Sequence, residues 1–103
     1  MAGSSPGVET LPDTAEKTAF APLYRVLIHN DDITPAGFVV DVLVEFFRKS
    51  ATEAEEIMLT AHTQGVAYVA TLPLEDAEFR VDQAHSKARA AKYPLTFTYE
   101  PEA

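Results

Sequence analysis

Residues 23–35 read LYRVLIHNDDITP, and the way this stretch divides decides the fold. Leu23–His29 is β-branched and aromatic in character, with Pro22 before it and Asn30, Asp31 and Asp32 after it, which predicts a strand running into a turn. Thr34 followed by Pro35 predicts a helix start. A hydroxyl there can accept an otherwise unpaired amide at the N-cap, and proline at the first helical position has no amide to strand. The helix should run to about residue 49. Phe38, Val39, Val42, Leu43, Phe46 and Phe47 form its apolar stripe, Asp41, Glu45 and Arg48 stand opposite, and Gly37 is a local weakness.

Working outward, Ser50 and Glu53 are spaced as a capping box, and Ala54, Ile57, Met58 and Ala61 follow at helical intervals until Gly65 offers a left-handed stop. Residues 66–72 predict a second strand. Leu74, Ala77, Val81, Ala84 and Ala88 then recur at steps of three and four, a third helix ending near Tyr93 because Pro94 cannot continue it. Leu95, Phe97 and Tyr99 alternate with Thr96 and Thr98, a strand with one apolar face. The order is βααβαβ. Three strands bury one face well when the helices share a side, so the expectation is an α+β, two-layer sandwich: a three-stranded antiparallel sheet with three helices on one face. Residues 1–22, rich in Gly, Ser, Thr, Pro and Ala without periodicity, are expected to be a flexible N-terminal tail to a single domain over 23–103.

With 103 residues, 47% of them hydrophobic, the chain has room for one modest core. The absence of cysteine removes thiolate metal sites, thiol nucleophiles and disulfides, and fits a reducing compartment. A formal charge of -8 argues against nucleic acid as a partner, since phosphate binding needs a basic stripe. No apolar run approaches the roughly 20 residues of a membrane span, so no membrane partner and a cytoplasmic location are expected. No cofactor is indicated.

The candidate chemistry lies in two places. Asn30, Asp31 and Asp32 sit between a strand end and a helix start, where function tends to concentrate, although Asn and Asp also favour turns for local hydrogen bonding alone. Met58 and His62 fall one turn apart on the second helix and should share a face with Ala61, although a core Met and a surface His near a helix end would look the same. The histidines show no zinc-binding spacing.

Taken jointly, LYRVLIHNDDITP, IMLTAHTQG and DAEFRVDQAHSKARAAKYPL resemble the ClpS family over roughly residues 23–100. The Asn-Asp-Asp-x-Thr-Pro run and the Met-Leu-x-x-His pentad carry the resemblance. It implies a non-enzymatic adaptor that grips the free α-amino group and bulky first residue of N-degron proteins and passes them to a Clp unfoldase. The implied amine-binding residues are Asn30, Asp32 and His62, with Asp31 as a weaker candidate. An ammonium wants acceptors, and an amide oxygen, a carboxylate and a neutral imidazole nitrogen supply them. The implied side-chain pocket is Ile28, Thr34, Ala36, Val39, Met58, Ala61 and Leu95. Binding should weaken at acid pH once the imidazole carries a proton, and above about pH 8 as the ligand amine loses its own.

The chain departs from the family pattern at Ala36, where Met is common, at Ala61, where Val is common, and at Pro73, where Thr is common at the helix start. The two alanines make the pocket rim smaller, which predicts that β-branched Ile or Val is accepted beside Phe, Leu, Trp and Tyr. The resemblance also implies that Glu75, Glu78 and Arg80, with an exposed Phe79 beside them, contact the N-terminal domain of a ClpA- or ClpC-type unfoldase. Two other readings compete: a structural or interaction module of the ribosomal stalk C-terminal-domain fold, and a hydrolase or metal enzyme using His29, Asp31, Asp32 and His62.

Overall fold

The computed structural model describes residues 21–102, so the expected tail over 1–22 falls almost wholly outside the described residues. The elements are β1 (Leu23–His29), α1 (Ala36–Phe47), α2 (Ala51–Gln64), β2 (Val66–Pro73), α3 (Leu74–Ala90) and β3 (Thr96–Pro101). The sheet is antiparallel throughout, in the order β2-β1-β3. This is the βααβαβ sandwich that the sequence predicts.

One face of β1 and its neighbours meets the helices. Val26, Ile28, Ala67, Val69 and Phe97 from the sheet are buried against Val39, Val42, Leu43 and Phe47 of α1, Ala54 and Ala61 of α2, and Ala77, Val81, Ala84 and Ala88 of α3. Burying each Val, Leu, Ile or Phe contributes roughly 1.5–3 kcal/mol, so this interface is the main source of stability. The small residues of α3 bring its backbone close to the sheet, while Phe47 and Phe97 stack with ring centroids 5.0 Å apart. The expected stripe on α1 is correct, with Phe38 and Phe46 half-buried at its edges.

Between Val26 and Leu27 the β1–β2 register slips, pairing Val26 with Ala70 and Leu27 with Tyr68. Val69 is the extra residue of this bulge, and both Ala67 and Val69 still face the core.

The helix ends show where local reasoning succeeds. Ser50 and Glu53 form both halves of the capping box, and Gly65 ends α2 at φ 90°. At α1 the expectation shifts by one residue: Pro35 stands at the N-cap with extended ψ 145° and no side-chain cap. Thr34 is not the cap, because its hydroxyl donates to Asp31 instead of accepting a helix amide. That helix stops at Phe47, before residue 49, because Arg48 turns left-handed at φ 56° and donates its amide to the Leu43 carbonyl. Similarly, α3 ends at Ala90, short of Tyr93, where Lys92 adopts φ 64° and the Tyr93 amide returns to the Ala88 carbonyl. Pro73 provides no side-chain cap for α3, and Glu75 and Asp76 in the first turn supply the negative charge that a helix start favours.

Candidate functional site

The end of β1, the start of α1, the last turns of α2 and the approach to β3 converge on one cavity of about 240 Å³. It is smaller than the roughly 300–1,000 Å³ of sites that take drug-sized ligands, a size suited to a single side chain with its amino group.

Its wall is apolar. Ile28 comes from the core face of β1, Val39 from the first turn of α1, Ala61 and half-buried Met58 from one face of α2, and Leu95 from the residue preceding β3. Ile28, Val39, Ala61 and Leu95 are also core residues, so packing behind the cavity fixes its wall in place. The rim is polar: Asn30, Asp31, Asp32 and Thr34 from the loop after β1, and exposed His62 from α2, with Ala36 at the helix start. Every residue expected at the amine site or the pocket therefore lines the same cavity, joined by His29.

One contact docks the loop on the end of α2, and a second closes the loop on itself. The Asn30 amide donates to the Gly65 carbonyl at 3.0 Å, and the Gly65 amide donates to the Ala61 carbonyl at 2.8 Å. The left-handed glycine thus ends α2 just beyond His62 and docks the loop that carries Asn30. The sequence signals the stop at Gly65 but not this second task, which depends on a partner 35 positions away.

The second contact is made by Asp31. Its Oδ1 accepts the amides of Ile33 (2.8 Å) and Thr34 (2.7 Å), and its Oδ2 accepts the Thr34 hydroxyl (2.9 Å). Burial acts to raise its pKa, but these hydrogen bonds outweigh it and hold the carboxyl below its ordinary 3.8. His29 is likewise engaged, its Nε2 lying 2.7 Å from Thr98 Oγ1. Of the four side chains in the hydrolase reading, Asp31 and His29 are thus engaged by neighbours within the fold, while Asp32 and His62 are exposed at the rim.

A residue that sequence reasoning overlooked supports the far wall. Half-buried His85 of α3 accepts the Phe97 amide at Nε2, 2.9 Å away, which fixes the start of β3 two residues beyond Leu95. Accepting there makes the neutral ring carry its proton on Nδ1.

Nearer the start of α3, Glu75, Glu78 and Phe79 are exposed, Phe79 to 62%. Of these, Phe79 lines a separate shallow groove of about 490 Å³ together with Glu45, Phe46, Arg48, Asp76, Arg80 and Gln83. Arg80 differs from its neighbours. Its side chain is only 20% exposed, Nη1 donates to the Phe46 carbonyl at 2.9 Å, and it ties α3 to the end of α1. Its buried Nε has no hydrogen-bond partner, Asp76 Oδ1 standing beyond reach at 3.9 Å.

Comparison with known proteins agrees with this geometry. Residues 20–98 match the family model for ClpS, described as the ATP-dependent Clp protease adaptor protein. The ClpS adapter of Roseobacter denitrificans is 48% identical over 92 residues, covering 89% of this chain and 81% of its own, and that of Desulfatibacillum aliphaticivorans is 40% identical over 94 residues, covering 91% and 90%. Among solved structures, Agrobacterium tumefaciens ClpS2 bound to L-phenylalaninamide matches with a TM-score of 0.76 at 41% identity, over 79% of this chain and 98% of that one. A strand-to-helix loop of three polar residues, a histidine on the facing helix and an apolar cavity between them thus occur in a chain that belongs to the ClpS family of Clp protease adaptors.

Proposed function

We propose that this protein binds the free α-amino group and the hydrophobic first side chain of N-degron substrates in the cavity at the end of β1, and delivers them to a Clp AAA+ unfoldase. The observation that carries the reading is the division of that cavity into an apolar wall and a polar rim of acceptors. An ammonium placed at the rim would meet Asn30, Asp32 and His62, and the attached side chain would extend toward Ile28, Val39, Met58, Ala61 and Leu95. Phenylalaninamide, the ligand of the Agrobacterium relative, is a molecule of this shape: a free α-amino group bearing a benzyl side chain.

Charge-assisted hydrogen bonds contribute about 1.5–3 kcal/mol each and burial of a Phe or Leu side chain a similar amount, before ordering costs are subtracted. The sum implies roughly micromolar affinity, about 8 kcal/mol. Ala36, exposed at the rim, and Ala61, buried in the wall, leave space that supports acceptance of β-branched first residues.

The exposed Glu75, Glu78 and Phe79 of α3 support a second surface for the unfoldase's N-terminal domain, with Arg80 bracing it from beneath.

Fluorescence polarisation with peptides differing only at residue one (Phe, Leu, Trp, Tyr, Ile, Val, Ala) tests the proposal. Micromolar binding of the bulky members with Ala excluded is expected. Equal binding of all seven would overturn it.

A further inference from the structure

Among the described residues Met58 alone carries sulfur: cysteine is absent from the whole sequence, and the other methionine is Met1. Met58 is half-buried, packed against the core on one side and lining the cavity on the other. A thioether suits such a wall, being flexible, apolar and polarisable. It is also oxidisable, and in a chain without cysteine no thiolate competes for the oxidant. Hydrogen peroxide is little larger than water, whose share of liquid volume is roughly 30 Å³. A cavity of about 240 Å³ bounded by exposed Asn30, Asp32 and His62 has room to admit it.

We propose that Met58 is an oxidation site at which peroxide turns ligand binding off. This rests on the reading of the cavity given above. The sulfur lone pair attacks one peroxide oxygen, the O–O bond breaks and an S–O bond forms. The displaced hydroxide takes the proton from the transferred oxygen and leaves as water. The thioether is oxidised by two electrons, the peroxide is reduced by two, and a neutral sulfoxide remains.

The product no longer suits its surroundings. Its oxygen is a strong acceptor, yet Ile28, Val39, Ala61 and Leu95 carry no side-chain donor. The oxygen therefore either stays unpaired in the wall or turns into the space meant for an apolar first side chain. A bound ligand covers the sulfur, so oxidation acts on the empty adaptor and spares the loaded one. Enzymatic reduction of the sulfoxide restores the thioether.

The test compares the parent with Met58→Leu, which keeps a similar volume without sulfur, and Met58→Gln, which places a polar acceptor there without oxidant. Each is treated with hydrogen peroxide, peptide mass mapping separates oxidation at Met58 from that at Met1, and polarisation reads affinity for a Phe-first peptide. Once oxidised at Met58, the parent should lose at least tenfold in affinity, regain it with methionine sulfoxide reductase and keep its far-ultraviolet circular dichroism. Met58→Leu, whatever its starting affinity, should change less than twofold on treatment. Met58→Gln should bind about tenfold more weakly than the parent without treatment. Saturating peptide should slow oxidation of Met58 in the parent at least fivefold. Undiminished affinity in the oxidised parent, an equal loss in Met58→Leu, or loss of helical signal together with affinity would overturn the proposal. Failure of the untreated parent to prefer the Phe-first peptide over its N-acetylated twin would instead overturn the reading of the cavity itself.

Discussion

At the scale of single residues, the site depends on side chains whose tasks are separable by substitution. His62 stands exposed in the last turn of α2, across the cavity rim from Asn30. Removing one acceptor from an ammonium costs about 1.5 kcal/mol, so His62→Ala should weaken a Phe-first peptide about tenfold by polarisation, with no change in thermal midpoint. Parent-like affinity would remove His62 from the site. Ala36 sets a different property. Adding bulk at this rim position should penalise branching at the ligand's Cβ more than a flat ring, so Ala36→Met should raise the preference for Phe over Ile about tenfold. An unchanged ratio across the peptide series would show that Ala36 does not govern selectivity.

At the scale of elements, two helices carry features with measurable consequences. A Cβ added at Gly37, exposed on α1, would meet no atom within 4 Å. Gly37→Ala should therefore stabilise the protein by about 0.5–1 kcal/mol, read from urea denaturation, by removing backbone freedom from the unfolded chain. On α3, His85 receives the Phe97 amide, and burial first, then the nearby Arg89, push its pKa below the ordinary 6.5, with Asp82 pulling the other way. A folded pKa lowered in this way gives stability that is fully present above about pH 6.5 and is lost as the pH falls through the lower folded value. Protonation would set a donor against the Phe97 amide. Denaturation midpoints between pH 7.5 and 4.5 should fall more steeply for the parent than for His85→Gln, whose amide oxygen can accept the same bond at every pH. Parallel profiles would mean that the His85 contact does not titrate with folding.

At the scale of the whole molecule, the cavity at the end of β1 and the exposed part of α3 lie on different elements, so binding at one should leave the other accessible. Glu78→Arg should weaken capture by an unfoldase N-terminal domain at least tenfold while the peptide affinity stays at its parent value; loss of both together would mean that the two surfaces are not separate. What could be read from the chain before its structure follows the range of each interaction. The α1 stripe, the Ser50–Glu53 box and the Gly65 stop are set within a turn or two of sequence, and each stands where the sequence puts it. Thr34 was misread as a cap because threonine, asparagine and aspartate can satisfy a turn in several ways, and the loop's own shape selects among them. The His85–Phe97 bond and the docking of Asn30 on Gly65 leave no periodic trace at all. The residues of the cavity were legible as a set through the joint motif, but the three bonds that Asp31 accepts within its own loop were not. The central claim is that the rim holds a free α-amino group, and calorimetric titration of one Phe-first peptide against its N-acetylated twin tests it most directly. The account predicts micromolar binding of the free peptide and a loss of at least a hundredfold on acetylation, whereas equal affinity for the two would contradict it.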